Sequence, residues 1–278
     1  MSKNEEFQLI GAAKLMEDLF LNGIYQRRKS SKEFLDQLKH TMRKTFSNYE
    51  TRRNEFHGIV AKFVRDPIYK TDTISFKGLL NDIGILHKVV KLNYSFIKDD
   101  EDLVDLLADY SYPKEFFAQI YLNKKGKNEV DKREFLFDTS LEGIAELFKS
   151  EKRNIDRLEE KYRNTLLDIE KCPMLKQAGT LKCNYGTIKL REKDVVYDVE
   201  SIFKEFGSHF LLEYGQISME KVEEYIIKGF LSYKEIEKYR KLVDIPLKFF
   251  VMDIETERKS METYQYISMQ KAQAKRYA

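Results

Sequence analysis

The stretch from residue 27 to residue 53 carries the most pronounced local charge in the sequence, and the chemistry open to it is the binding of an anion. Only three acids, Glu33, Asp36 and Glu50, lie among its basic residues, and aromatic residues are interleaved with them. Such a stretch can follow a phosphate backbone or hold an acidic partner, although a solvated helix face, or pairing with the acidic block 99–109, is the commoner outcome. The candidate binding residues are Arg27, Arg28, Lys29, Lys39, Arg43, Lys44, Arg52 and Arg53.

The residue types that most often bind metals are few and poorly spaced. No two histidines lie four residues apart, and the two cysteines are eleven residues apart with no second pair. These spacings favour ordinary histidines and inert thiols over a zinc site, so the sequence predicts no metal. The residues concerned are His40, His57, His87, His209, Cys172 and Cys183.

Signatures of nucleophilic or phosphate-binding chemistry are equally weak. Ser95–Lys98 and Ser201–Lys204 fit S-x-x-K, but neither has the S-D-N or K-T-G element that accompanies it in enzymes of that type. The sequence has no G-x-S-x-G, no G-x-G-x-x-G and no P-loop. It therefore predicts no catalytic residue and no cofactor, and it disfavours an enzyme, although a helical enzyme with dispersed carboxylates would escape such a search.

Apolar residues that recur every seven positions are the main signal for the elements that carry these candidate residues. Between residues 139 and 172, Leu141, Phe148, Ile155, Tyr162 and Ile169 recur at this step and predict a helix over 140–171 with an apolar seam along one side. Thr139 with Glu142 forms a capping box at its start, and Pro173 marks its end.

Two further long helices are predicted by the same reasoning. The first spans about 31–64, opens with a Ser30–Glu33 capping box, and contains Leu35, Met42, Tyr49, Phe56 and Phe63 at seven-residue steps. The second spans about 247–275 and starts after Asp244 and Pro246. A shorter helix is predicted over 5–22, and another starts at a Ser232–Glu235 capping box. Residues 219–243 have the outline of a helix-turn-helix motif.

Apolar runs of strand length predict a small antiparallel sheet or hairpins at about 115–138 and 180–199. The runs are FFAQIYLN, REFLFD, TLKCNY, TIKLRE and DVVYDV. The predicted fold is mainly α, an elongated helical bundle of three long heptad-patterned helices with this small sheet, or α+β if the sheet is substantial. Residues 1–278 are expected to form a single mostly helical domain, with a candidate sub-boundary near 111–115.

Composition bounds the remaining choices. The chain has 278 residues, a formal charge of +3 and only two cysteines, which favour a reducing compartment over a disulfide scaffold. The first residues, MSKNEEFQLI, include acids where a signal peptide would be basic, and there is no apolar run of 18 residues, so a cytoplasmic protein without a transmembrane segment is expected. The near balance of charge argues against a dedicated DNA-binding protein.

The leading functional hypothesis is a non-enzymatic interaction or scaffold protein of bacterial or phage origin, acting through long helical, coiled-coil-like surfaces. Its partner would be another protein or a second copy of the chain. The alternative is a nucleic-acid-associated protein that uses residues 27–53.

Overall fold

The computed structural model describes residues 3–130 and 140–277 of the chain. Helices make up 60% of it, and the strands form four small sheets. In chain order the described helices are α1 (Lys3–Leu21), α2 (Ile24–Phe46), α3 (Thr73–Asp82), α4 (Leu86–Val89), α5 (Tyr94–Ile97), α6 (Glu101–Leu106), α7 (Lys124–Asn128), α8 (Leu141–Glu170), α9 (Pro173–Ala178), α10 (Val199–Tyr214), α11 (Met219–Ile227), α12 (Tyr233–Glu237) and α13 (Ile254–Tyr277). The described strands are β1 (Arg53–Phe56), β2 (Ile59–Arg65), β3 (Ile68–Thr71), β4 (Val90–Lys91), β5 (Phe116–Leu122), β6 (Thr180–Cys183), β7 (Gly186–Glu192), β8 (Gln216–Ile217), β9 (Arg240–Asp244) and β10 (Leu247–Asp253).

The predicted bundle of three long helices is wrong. Only the helix predicted over 140–171 is present at nearly its full predicted length, as the 30-residue α8. The helix predicted over 31–64 ends at Phe46 as α2, and its second half is replaced by β1 and β2. The helix predicted over 247–275 begins only at Ile254, because its first seven residues form β10.

A tight turn explains why the second predicted helix fails. His57 and Gly58 both have positive φ, 44° and 81°, and join β1 to β2 with Phe56 paired to Ile59. A two-residue loop of this kind matches the twist of an antiparallel pair, which a helix cannot accommodate. Phe56 and Phe63 keep the seven-residue step of the preceding helix only by coincidence, since they lie on neighbouring strands.

Of the three predicted capping boxes, one is confirmed, one is wrong and one includes a residue outside the described part of the chain. The Ser232–Glu235 box is confirmed, with the Ser232 side chain and the Glu235 side chain each bonded to the other's backbone N–H. The Ser30–Glu33 box is wrong, because both residues lie inside α2. Thr139 lies outside the described residues; at the start of α8 the Ser140 hydroxyl accepts a hydrogen bond from the Gly143 N–H at 3.1 Å.

The chain divides into two compact units, each assembled from separate segments. Unit 1 comprises residues 1–63, 115–193 and 249–254, and unit 2 comprises residues 64–114, 194–248 and 255–278. Unit 1 contains 29 basic and 23 acidic residues, a net charge of +6, while unit 2 contains 20 and 23, a net charge of −3. The charge of +3 over the whole chain therefore conceals a strongly basic unit.

In unit 1, α8 is the element on which the others pack. Its N-terminal half buries Ile144, Ala145 and Phe148 against α2 and the β1–β2–β10 sheet. Its C-terminal half buries Ile169 in a second cluster with α1, α9 and the inner side of a three-stranded sheet in the order β5–β7–β6. The apolar seam that the sequence predicted for this helix is thus used inside the unit.

The β5–β7–β6 sheet corresponds to the strands predicted near 115–138 and 180–199. FFAQIYL, TLKC and GTIKLRE form its three antiparallel strands, as predicted. REFLFD lies outside the described residues. DVVYDV is not a strand, because Val199 already begins α10 and only an isolated bridge joins Tyr197 to Ser111.

Unit 2 has its own core, built on α3, α4, α10 and α11 around Phe76, Leu86, Ile202, Leu211 and Val222. Of the helix-turn-helix outline over 219–243, α11 and a turn at Gly229 are present, but the second helix is only the five-residue α12, and the chain continues from it into β9, which pairs with β3. Among the helices of residues 3–130 and 140–277, none combines the length and the apolar character that a membrane crossing would need.

Candidate nucleic-acid interface

The first two residues of the predicted basic stretch are engaged in contacts within unit 1. The Arg27 side chain folds back and donates hydrogen bonds to the carbonyl oxygens of Asn22 (2.5 Å) and Gly23 (3.1 Å), where α1 gives way to α2. Arg28 forms a 2.9 Å ion pair with Glu159 of α8 and lies over the ring of Tyr162. Both residues therefore hold helices together.

Glu159 is the electrostatic centre of this helix contact. Its burial acts to raise the pKa of the carboxyl, but hydrogen bonds from Lys32 and Arg28, together with their positive charges, outweigh it and leave the pKa below its usual value. Burial raises the pKa of Tyr162 and of Tyr25, which meet edge to face at 5.9 Å. The cluster is a charged and aromatic contact between α2 and α8.

The other predicted residues are more exposed, but acids interrupt them. Lys39 lies 3.5 Å from Asp36, and Arg53 forms a 3.0 Å ion pair with Glu55. Glu33 and Asp36 also stand on α2. The exposed residues for which no ion pair occurs within the described part of the chain are Lys29, Arg43, Lys44 and Arg52. The eight candidates are therefore spread over one helix, the bend at Arg52 and one strand, and the acids Glu33, Asp36 and Glu50 lie among them in the sequence.

A second basic surface of unit 1, on the outer side of the β5–β7–β6 sheet, was not found by sequence reasoning. Ala118, Ile120 and Leu122 of β5 point into the core, so the alternate residues Phe117, Gln119 and Tyr121 point outward. The burial pattern agrees, because all three outward residues are exposed and Ala118 is buried. We call this side of the sheet the outer face.

Strand register fixes the neighbours of these three residues. Phe117 pairs with Arg191, Gln119 pairs with Lys189, and Tyr121 pairs with Thr187. On the other side of β7, Lys189 pairs with Thr180 and Thr187 pairs with Lys182. Directly paired residues share a face, so Lys182, Lys189 and Arg191 join two aromatic rings on the outer face. Within the three strands this face contains no acid; beyond its end, Glu115 and Lys193 form a 2.8 Å ion pair.

Helix α7 adds three exposed lysines, Lys124, Lys125 and Lys127, at the end of the sheet where Tyr121 lies. Asn123 anchors the helix there, because its side chain accepts a hydrogen bond from the Gly126 N–H at 2.8 Å and donates one to the Asn184 carbonyl at 2.9 Å. Gly126 lies so close to the β6–β7 turn that a Cβ atom would meet the Tyr185 carbonyl oxygen at 2.1 Å. The short helix is therefore fixed against the sheet.

The charges and rings of the outer face already interact. The Lys189 ammonium lies 5.4 Å from the centroid of the Tyr121 ring, and the Tyr121 hydroxyl donates a 2.6 Å hydrogen bond to the Gln119 side-chain oxygen. At the end of the sheet, Lys125 lies 4.9 Å from the centroid of Tyr185, whose ring stacks on Phe20 in the core at 4.5 Å and is therefore not part of the outer face. Cations and exposed ring faces on one acid-free surface can bind a phosphate chain and the flat groups attached to it.

No three His, Cys, Asp or Glu side chains come together in a way that could hold a metal ion within residues 3–130 and 140–277. Comparison with family models, with curated proteins and with solved structures finds no match to this chain. The functional argument therefore rests on the surface chemistry of the chain itself.

Proposed function

We propose that this chain is a nucleic-acid-associated protein without catalytic activity of its own, and that unit 1 is its binding unit. The observation that carries the proposal is the outer face of the β5–β7–β6 sheet, where Lys182, Lys189 and Arg191 lie and where none of the outward-pointing strand residues is acidic. The net charge of +6 on unit 1 supports it, because long-range attraction of a polyanion depends on the charge of the unit that approaches it.

The fold removes the main support for the scaffold hypothesis. That hypothesis depended on three long apolar seams, and the seam of α8 is buried inside unit 1 while the other two helices are shortened by strands. The basic stretch 27–53 keeps a supporting role, since Arg43, Lys44 and Arg52 are exposed in the same unit. That the chain is not an enzyme stays a prediction.

Binding of labelled oligonucleotides at a series of salt concentrations tests this proposal. Each phosphate contact that is removed reduces the slope of log K against log salt by about 0.7 for a single strand and about 0.9 for a duplex. The triple variant Lys182→Glu, Lys189→Glu, Arg191→Glu should therefore reduce the slope by about 2 units. The matched control is Lys161→Glu, Arg163→Glu, Lys176→Glu, which reverses three exposed charges on α8 and α9. If the intact protein binds no nucleic acid at low salt, or if both variants behave alike, the proposal is wrong.

A second candidate function, self-association, is favoured by an observation in unit 2. The two-stranded β3–β9 ribbon exposes large apolar side chains, with Val243 62% exposed and Leu242 45% exposed. Two-stranded ribbons are marginally stable alone and gain from further strands. Antiparallel pairing of β9 with β9 of a second copy about Leu242 would place Arg240 opposite Asp244, so the charges complement each other.

Sedimentation equilibrium tests this second candidate. Asp244→Lys should weaken the dimer, because it would place two cations opposite each other, and adding Arg240→Asp should restore it. A monomer at all concentrations, or a dimer that is insensitive to Asp244→Lys, would exclude pairing through β9.

A further inference from the structure

We infer that the ligand of the outer face is single-stranded nucleic acid, with bases stacked on Phe117 and Tyr121 and phosphates bound by Lys182, Lys189 and Arg191. This inference rests on the proposed function and specifies its ligand. It begins from the two rings, which are each 37% exposed although they lie on a strand whose other side is packed in a core. Exposed aromatic rings among cations form the usual platform on which unpaired bases stack.

The spacing of the rings suits alternate bases of an extended strand, with one nucleotide between the two that stack. Phe117 and Tyr121 are four residues apart on β5, which places them about 13 Å apart along the strand. Gln119 lies between them, where its amide can meet the edge of a base. The hydrogen bond from the Tyr121 hydroxyl to Gln119 restrains the tyrosine ring before any ligand arrives, so less freedom is lost on binding.

The cations are placed to follow the backbone of such a strand. Arg191 is paired directly with Phe117, so a phosphate beside a base on that ring would lie within reach of the guanidinium. Lys189 is in the centre of the sheet, and its ammonium now covers the Tyr121 ring. A base that stacks on this ring takes the place of the ammonium, and the flexible lysine side chain can then turn to the adjoining phosphate.

The shape of the outer face favours a single strand over a duplex. Three strands at about 4.8 Å spacing present a narrow surface, and the helix at its end, α7, is only five residues long and too short to fill a groove. In a duplex the base faces are stacked on one another and cannot reach Phe117 or Tyr121, so only phosphate contacts would remain. The rings therefore add affinity only when the bases are unpaired.

The test compares single-stranded and duplex oligonucleotides of equal length, as DNA and as RNA, by fluorescence anisotropy with the full chain. Phe117→Ala and Tyr121→Ala should each weaken single-strand binding about 5- to 100-fold, with the slope of log K against log salt unchanged because stacking releases no counterions. The control is Phe116→Ala, which truncates an aromatic residue 46% exposed on the same strand and pointing to the opposite side. Circular dichroism melting of each variant verifies that the fold is intact.

The outcomes separate this inference from the proposed function. Tight single-strand binding that depends on Phe117 and Tyr121 but not on Phe116 supports both. Salt-sensitive binding to duplex and single strand alike, unaffected by either ring variant, overturns the stacking inference and leaves the proposed function standing. Absence of binding to any oligonucleotide at low salt, with a folded protein, overturns both.

Discussion

The guanidinium of Arg28 lies 4.0 Å from the centroid of the Tyr162 ring, and this contact joins α2 to α8. The same guanidinium is paired with Glu159, so one side chain makes a cation–π contact and an ion pair in a partly buried place. Arg28 is therefore expected to stabilise the folded state of unit 1, although the sequence made it a candidate binding residue.

Replacement of Arg28 tests this structural role. Arg28→Ala should lower the free energy of unfolding by about 1–2 kcal/mol, since it removes the contact with Tyr162 and one partner of Glu159. The affinity for oligonucleotides should stay within about twofold of the wild-type value. Urea unfolding measures the first effect. Arg43→Ala, at an exposed position of the same helix, should change stability by less than about 0.5 kcal/mol; a large loss of affinity with unchanged stability for Arg28→Ala would contradict the assignment.

His87 should make the stability of unit 2 depend on pH. Burial lowers the pKa of its imidazole below 6.5, the nearby Lys88 lowers it further, and Glu200 opposes both. A depressed pKa in the folded state means that the unfolded chain binds the proton more readily. The stability contributed by neutral His87 is thus complete above about pH 6.5 and is lost as the pH falls through the folded-state pKa.

Thermal melts between pH 5 and pH 8 measure this effect. His87→Phe should remove the pH-dependent component, and its ring can retain the stack on Phe203, now at 4.3 Å. His209→Gln, at an exposed histidine of α10, serves as the control and should retain the component. A component that persists in His87→Phe would assign it to another group.

Gly186 should be intolerant of any side chain. A Cβ atom there would meet the Tyr121 carbonyl oxygen at 2.1 Å, so Gly186→Ala must separate β7 from β5. The expected loss is about 1–3 kcal/mol in chemical unfolding. Gly78→Ala is the matched change, because Gly78 lies in α3 with no atom within 4 Å of the new methyl group, and it should stabilise by about 0.5–1 kcal/mol. Equal effects of the two substitutions would contradict this account of the sheet.

The two basic surfaces of unit 1 should contribute differently to nucleic-acid affinity. Reversing Arg43, Lys44, Arg52 and Arg53 to Glu should change the slope of log K against log salt by less than about 1 unit, whereas the reversal of three residues on the outer face should change it by about 2 units. The reason is that Glu55 already pairs with Arg53 and that Glu33 and Asp36 stand on α2. The reverse order of effects would identify the stretch 27–53 as the main binding surface.

Helix α8 shows what a single sequence can establish. Its seven-residue step is accompanied by a capping residue at the N-terminal end and by Cys172–Pro173 at the C-terminal end. The residues that the step predicts to face the core are those that the structure buries or half-buries. The stretch 31–64 has the same step but lacks this agreement. Ile59, Val60 and Val64 favour a strand, and His57-Gly58 favours a turn, so local preference overrides periodicity there.

The outer face could be predicted only in part. Alternation in FFAQIYL and TIKLRE predicts strands, and it places Phe117 and Tyr121 on one side of their strand and Lys189 and Arg191 on one side of theirs. What a single sequence does not contain is the register that sets Phe117 beside Arg191, because that pairing joins residues 74 positions apart. The sequence predicted residues 27–53 as the binding stretch because their basic residues are close together along the chain.

The order of segments in unit 1 has a consequence for its synthesis on the ribosome. Strand β2 ends at Arg65, but its neighbour β10 begins only at Leu247, roughly 180 residues later. At about 5–20 residues per second, the nascent chain carries β2 with one edge unpaired for about 10–40 s. During this interval β2 can pair with the wrong strand or recruit a chaperone, and a protein terminated before Leu247 lacks the third strand of a sheet whose other two lie near its N-terminus.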